Sequence, residues 1–188
     1  MEISQTCLTY LAFEAFACGD ACDKKAFTAR LDHNVFLDYA ARYWGAHTHG
    51  VQNDVEEIAK AFLENDLLTA CASQALFASA NGSQRTPKLK GIHLVALFGL
   101  DVLLSTLLGE IQAKDSREIN EPDSYGRAPL VWASVKGHDK VVEQLLSKGA
   151  DVNAQGGDYS NALYAASVGG HDKVVEQLLS KGARSYIV

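Results

Sequence analysis

The sequence predicts an all-α chain in which a helical N-terminal segment leads into a short α-solenoid of about three stacked helical hairpins. Three observations carry that expectation. The segment Gly137 to Ala150 recurs without a change as Gly170 to Ala183, displaced by 33 residues, and a fixed period of this size is the mark of a repeat architecture. Within each copy, apolar residues fall at i, i+1, i+4 and i+5, one face of a short amphipathic helix. A weaker copy lies upstream, where Gly99, Leu103, Leu104, Leu107 and Leu108 match Gly137, Val141, Val142, Leu145 and Leu146 at an offset of 38.

Each unit reads as a hairpin. Val141, Val142, Leu145 and Leu146 form the apolar face of its second helix, while Asp139, Lys140, Glu143 and Lys148 take the wet side. A single helix of this kind needs a partner, and one begins at Pro129, whose missing N–H costs nothing in a first helical turn, and ends before Gly137. Gly149 stops the second helix, and Gln155-Gly156-Gly157-Asp158 reads as a glycine-rich linker to the next unit. The larger upstream offset places about five extra residues in the stretch Lys114 to Glu121. The units are expected at about 88–122, 123–155 and 156–188, within a repeat region 86–188.

Residues 1–85 show five helical stretches and no period. Ile3 to Phe13 and Asp23 to Leu31 are the first two; Val35 to Trp44 is the third, with Phe36, Tyr39, Ala40 and Tyr43 at helical spacing and Gly45 as its stop. Asn53 followed by Glu56 predicts a capping box for a fourth helix that buries Val55, Ile58, Ala59, Phe62 and Leu63. Leu67 to Ala80 is the fifth, followed by a turn-prone linker from Asn81-Gly82 through Pro87.

The unit Asp123-Ser124-Tyr125-Gly126-Arg127-Ala128-Pro129-Leu130, then Gly137-His138, Leu145-Leu146 and Gly149-Ala150-Asp151-Val152-Asn153, resembles an ankyrin repeat over about Lys90 to Ala183. The family's Thr-Pro-Leu-His becomes Lys90-Gly91-Ile92-His93, Ala128-Pro129-Leu130-Val131 and Asn161-Ala162-Leu163-Tyr164. The Thr and His side chains that tie neighbouring repeats are thus mostly absent, and no polar-faced capping repeat is expected after Ala183. Cys7 to Phe13, Phe36 to Gly45 and Ser83-Gln84-Arg85-Thr86-Pro87 resemble fungal NACHT–ankyrin proteins of the NOD-like receptor class. That resemblance implies that residues 1–85 correspond to the end of the winged-helix region and the linker. The nucleotide-binding core is missing, for the chain holds no Gly-x-x-x-x-Gly-Lys-Ser/Thr.

Composition limits the function. The net charge is −6, with acids and bases interleaved, so no electrostatic footprint for nucleic acid or an anionic membrane is present. The longest apolar run, Leu94 to Leu108, is interrupted by Gly99, Asp101, Ser105 and Thr106 and falls short of the roughly 20 residues of a membrane span. Ala15-Phe16-Ala17 follows an apolar stretch, but Glu2 replaces a basic n-region and Glu14 interrupts the end, so no secretory signal is expected. Four scattered cysteines fit reduced thiols in the cytoplasm, or the nucleus, better than a disulfide framework. No nucleophile elbow is present; His93, His138 and His171 fall at ankyrin turn positions, where a structural hydrogen bond is the expected role. No cofactor, metal or small-molecule substrate is expected. Cys18-x3-Cys22 with His47-x-His49 gives one alternative, a zinc-binding protein or enzyme; a non-functional truncated remnant is another.

The expected function is non-catalytic protein binding, with a partner the sequence does not name. Carried over by position from the ankyrin resemblance, the concave recognition face holds Leu97 and Phe98 in the first repeat, Tyr125, Arg127, Val135 and Lys136 in the middle one, and Asp158, Ser160 and Val168 in the last. Leu97, Phe98 and Val135 have packing against the N-terminal half as their competing role, and Trp132 is expected between repeats.

Overall fold

Glycines, asparagines and aspartates punctuate this chain, and they mark where its helices begin and end. The computed structural model describes residues 1–21, 23–78, 86–111, 117–157 and 161–184. Among the described residues there are eleven α-helices and no strand: α1 (Glu2–Leu11), α2 (Lys24–His33), α3 (Leu37–Thr48), α4 (Glu56–Leu63), α5 (Asp66–Phe77), α6 (Gly91–Phe98), α7 (Asp101–Ile111), α8 (Pro129–Lys136), α9 (Asp139–Ser147), α10 (Ala162–Gly169) and α11 (Asp172–Ser180). They group into two units, Met1–Leu94 and Val95–Val188, with the division inside α6. None of the described helices is long and apolar enough to cross a membrane.

In the first unit α1 lies against α3 and α4, and α3 also packs on α5. Leu8, Leu11, Phe16, Leu37, Trp44 and Phe62 are buried, and the Trp44 and Phe62 rings meet edge-on at 5.5 Å. Asp23 caps α2 by accepting from Ala26 N at 2.8 Å, and Asn65 caps α5 by accepting from Leu67 N and Leu68 N. The capping box expected at Asn53 does not form: Gln52–Val55 makes a 3-10 turn that runs straight into α4, so the backbone itself feeds the first helical turn. Gly45 does not stop α3 either. It is buried mid-helix, and α3 continues to Thr48, where the His47 carbonyl accepts from Ser4 Oγ of α1 at 2.6 Å. The buried stripe of α3 is Leu37, Ala40, Ala41, Trp44, Gly45 and Thr48, so Tyr39 and Tyr43 of the expected stripe are exposed. They form a ladder with Phe36 and His47, and the Tyr39 hydroxyl bonds His47 Nε2 at 2.9 Å. The expected Asn81-Gly82 turn lies outside the described residues.

From α6 onward the chain runs as three helical hairpins, α6–α7, α8–α9 and α10–α11. Each turns at a left-handed glycine, Gly99, Gly137 or Gly170, with φ of 70°, 71° and 69°. The turn closes the same way each time, as Leu100 N, His138 N and His171 N donate to Val95 O, Ala133 O and Ala166 O, which satisfies a carbonyl in the last turn of the first helix. Val141, Val142 and Leu145 of the expected apolar face are buried in α9, and Val174 and Leu178 in α11, whereas Leu146 and Val175 are half-buried and Leu179 is exposed.

The ties between hairpins differ from the expectation that they would be weak. His138 donates its Nε2 proton to Leu97 O at 3.1 Å, and His171 repeats this with Val135 O at 3.0 Å. Asn120 brackets the next unit, giving Nδ2 to Gly149 O and accepting from Asp151 N; Asn153 does the same with Gly182 O and Arg184 N. Lys140 pairs with Asp101 at 3.7 Å, and Lys173 pairs with Asp139. The Lys173 hydrogen bond holds the Asp139 carboxyl below its ordinary value. That contribution is present above the unfolded carboxylate range and fades as pH falls through the lowered value; its exposure keeps it small.

Gly91 shows how tightly the first unit is drawn together, because a Cβ there would lie 2.2 Å from the Leu63 carbonyl oxygen at the end of α4. Gly91→Ala is expected to destabilise by about 2 kcal/mol, seen as a lower urea midpoint at an unchanged slope. Gly109→Ala, whose Cβ would meet nothing within 4 Å, is expected to stabilise by about 0.5 kcal/mol in the same assay.

Candidate functional site

The segment Asp123 to Arg127 folds back on itself, with Asp123 N donating to Arg127 O and Gly126 N to Asp123 O, both at 2.9 Å. Gly126 supplies the positive φ, 79°, that the turn requires. The Asp123 side chain, 0% exposed, occupies the inside of the turn and is satisfied by four donors. Oδ1 accepts from Tyr125 N at 2.7 Å and Arg127 N at 3.0 Å; Oδ2 accepts from Arg127 Nε at 3.0 Å and Trp132 Nε1 at 3.1 Å. A carboxylate so buried is tolerable because a guanidinium and three N–H groups surround it.

That network fixes a layered cluster. The Arg127 guanidinium carbon lies 4.1 Å from the Trp132 ring centre and 4.9 Å from that of Tyr125. Trp132 is buried, whereas Tyr125 keeps 37% of its surface exposed. The following loop closes on the same cluster: a Cβ on Gly157 would lie 2.7 Å from Arg127 Cγ, and one on Gly156 would lie 2.0 Å from Gly126 O. Gly156 and Gly157 of the expected linker are therefore packed against this turn, and their lack of a Cβ permits the close approach.

Other expected face residues are placed unevenly. Lys136 and Val168 are exposed, Val168 to 63%, and Phe98 and Val135 are half-buried. Leu97 corrects the expectation: its side chain is 7% exposed and its carbonyl is already taken by His138. Asp158 and Ser160 lie outside the described residues. Tyr164, 53% exposed and outside the expected face, stands on the same helix as Val168, one turn away. Asp123, Trp132 and Gly157 lie outside the face expected from the sequence, although an acid two residues before an aromatic and four before an arginine signals the Asp123 turn.

The histidines hold structure. His93 is fully buried and its Nδ1 accepts from Lys90 N at 3.3 Å, as its position in the first repeat predicts. His47 bonds Tyr39, and Cys18 Sγ accepts from Arg30, so two of the four candidate zinc ligands have other partners; His49 is exposed, and Cys22 lies outside the described residues. Among the described residues no three His, Cys, Asp or Glu side chains converge as a metal site.

A family model described as "Ankyrin repeats (3 copies)" matches residues 46–156 and 92–187. The human transient receptor potential cation channel subfamily A member 1 is 41% identical over 68 residues, 36% of this chain and 6% of that protein. An ankyrin repeat protein of fowlpox virus (strain NVSL) is 43% identical over 47 residues, 25% of this chain and 7% of its own length. The crystal structure of the human ASB11 ankyrin repeat domain has 27% identity and a TM-score of 0.46, covering 52% of this chain and 42% of that one. The matched regions thus span a small part of both curated relatives.

Asp123→Ala would leave the Trp132 indole N–H and the Arg127 guanidinium without their buried acceptor. The expected cost is about 3 kcal/mol by denaturant unfolding, with loss of the Trp132 environment in near-ultraviolet circular dichroism.

Proposed function

Because the chain belongs to the ankyrin-repeat family, we propose that it is a non-catalytic module that binds another protein through the face carrying Phe98, Tyr125, Arg127, Val135, Lys136 and Val168. The observation that carries this reading is the Tyr125–Arg127–Trp132 stack on buried Asp123. An interface anchor normally loses side-chain freedom on binding, and here the aromatic and the arginine are already ordered. Exposed Val168 and Tyr164 add apolar area on α10, and Lys136 adds a rim charge. Asp158 and Ser160 belong to the same proposal.

We also propose the finer assignment. Residues 1–85 form a helical segment like the winged-helix end and linker of fungal NACHT–ankyrin receptors, and residues 86–188 form the repeat array. In that setting the chain acts as a sensor or regulatory fragment, in the cytoplasm or the nucleus. Support comes from the order and wording of Phe36 to Gly45 and of Ser83 to Pro87, and from the described cysteines Cys7, Cys18 and Cys71, all free thiols.

The test places a photo-crosslinking amino acid at Val168 and, as a control, at exposed Glu143 on the opposite side of the repeat pattern. Discrete crosslinked products from Val168, lost in a Lys136→Glu, Tyr125→Ala chain whose stability changes by less than about 1 kcal/mol, are the expected result. Equal products from both positions, or turnover of nucleotide by the purified chain, would contradict the proposal.

A further inference from the structure

We propose that Cys18 and Cys71 form an oxidant-sensing thiol pair, in which a peroxide oxidises Cys18 and Cys71 then closes a disulfide. The juxtaposition is made by one side chain. Arg30 of α2 donates from Nη2 to Cys18 Sγ at 3.0 Å and from Nη1 to Cys71 Sγ at 3.2 Å, so both sulfurs sit on one planar guanidinium. Its Nη1 also reaches Gly19 O at 2.5 Å, which fixes the guanidinium to the backbone beside Cys18. A second clamp holds this loop to α5: Gln74, three residues beyond Cys71, accepts from Ala21 N at 2.7 Å and donates to Ala21 O at 3.1 Å. Residues 18 to 21 are therefore held against the helix that carries Cys71.

Exposure divides the roles. Cys18 is exposed, and a small oxidant reaches it directly; Cys71 is 1% exposed and waits beneath. Burial pushes the Cys71 thiol up, the Arg30 charge and hydrogen bond pull it back, and Cys18 and Asp20 add to the upward push, which favours the protonated thiol at Cys71. In the first step the Cys18 sulfur attacks one peroxide oxygen, an S–O bond forms as the O–O bond breaks, and the departing hydroxide takes the proton given up by the Cys18 thiol and leaves as water. Arg30 holds the attacking sulfur in place through its Nη2–H donor. In the second step the Cys71 sulfur attacks the sulfenyl sulfur of Cys18, the S–O bond breaks, and the Cys71 proton leaves with hydroxide as a second water. Two thiols and one peroxide become one disulfide and two waters.

The bridge would also take from Arg30 both of its sulfur acceptors. Because α2 buries no residue fully, those contacts are a large part of what seats it. Oxidation is thus expected to loosen α2 without unfolding the unit.

The experiment treats the full chain with dilute hydrogen peroxide and maps the products by mass spectrometry, with hydrogen exchange over residues 24–33. The expected product has lost two hydrogens and yields a peptide joining Cys18 to Cys71, with faster exchange in α2. Cys71→Ser is expected to stop at a Cys18 sulfenic acid trapped by dimedone. Arg30→Met is expected to slow Cys18 oxidation about tenfold, and Arg30→Lys, which keeps the charge, less than that. Oxidation of Cys18 at the same rate in Arg30→Met as in the parent chain, or a bridge from Cys18 to Cys22 or Cys7 instead of Cys71, would overturn the proposal.

Discussion

A helix ends with carbonyls that have no partner within it, and in this chain one of them is answered from the next hairpin. The Leu97 and Val135 carbonyls, near the ends of α6 and α8, receive the Nε2 protons of His138 and His171. The imidazole can reach them only because the residue at the turn is a glycine. A Cβ on Gly99 would lie 2.5 Å from the His138 ring, and one on Gly137 would lie 2.4 Å from that of His171. The same two glycines adopt the left-handed backbone that ends the first helix. One residue type therefore serves two purposes, terminating a helix and admitting the histidine that fastens the following unit. The asparagine brackets at Asn120 and Asn153 and the pairs Lys140–Asp101 and Lys173–Asp139 repeat around this joint. They build a line of ties along the array, each one nearest-neighbour in reach.

The proposed recognition surface depends on the same economy. The turn that presents Tyr125 and Arg127 is held by the Asp123 carboxylate, and the loop after the repeat closes on it through Gly156 and Gly157. Ordering of the anchor is thus a by-product of repeat packing. A side chain whose rotamer is set by its own fold gives up less freedom to a partner, which is the physical basis for placing the binding face here rather than among the more exposed charges of α9 and α11.

The hairpins were legible because their signal is a side-chain signal: identical residues 33 apart, apolar pairs at helical spacing, proline at Pro129 and glycine at Gly137. The ties were not, because their acceptors are the carbonyls of Leu97, Val135, Gly149 and Gly182, and a backbone oxygen leaves no mark in a sequence. Comparing the turns with the family's Thr and His positions thus underestimated the coupling between repeats. In the first unit, the expected spacing of Phe36, Tyr39, Ala40 and Tyr43 holds only at Ala40, because the buried stripe runs through Leu37, Ala40, Ala41 and Trp44 a short rotation away. Ala40, Ala41 and Gly45 lie buried with Leu37 and Trp44, and α1 approaches α3 closely enough for Ser4 to bond the His47 carbonyl. Asp123 was missed for a similar reason, since two of its four donors are main-chain N–H groups.

The most direct test of this account is a double-mutant cycle between Gly137→Ala and His171→Ala, read by denaturant unfolding. With His171 present, the added methyl meets both a positive φ and the imidazole, and the cost should be about 3 kcal/mol; with His171 removed, only the backbone strain of about 1–2 kcal/mol should remain. A coupling of about 1 kcal/mol or more would show that the histidine and the glycine form one joint. Strict additivity, with Gly137→Ala costing the same in both backgrounds, would mean that the hairpins are held together elsewhere.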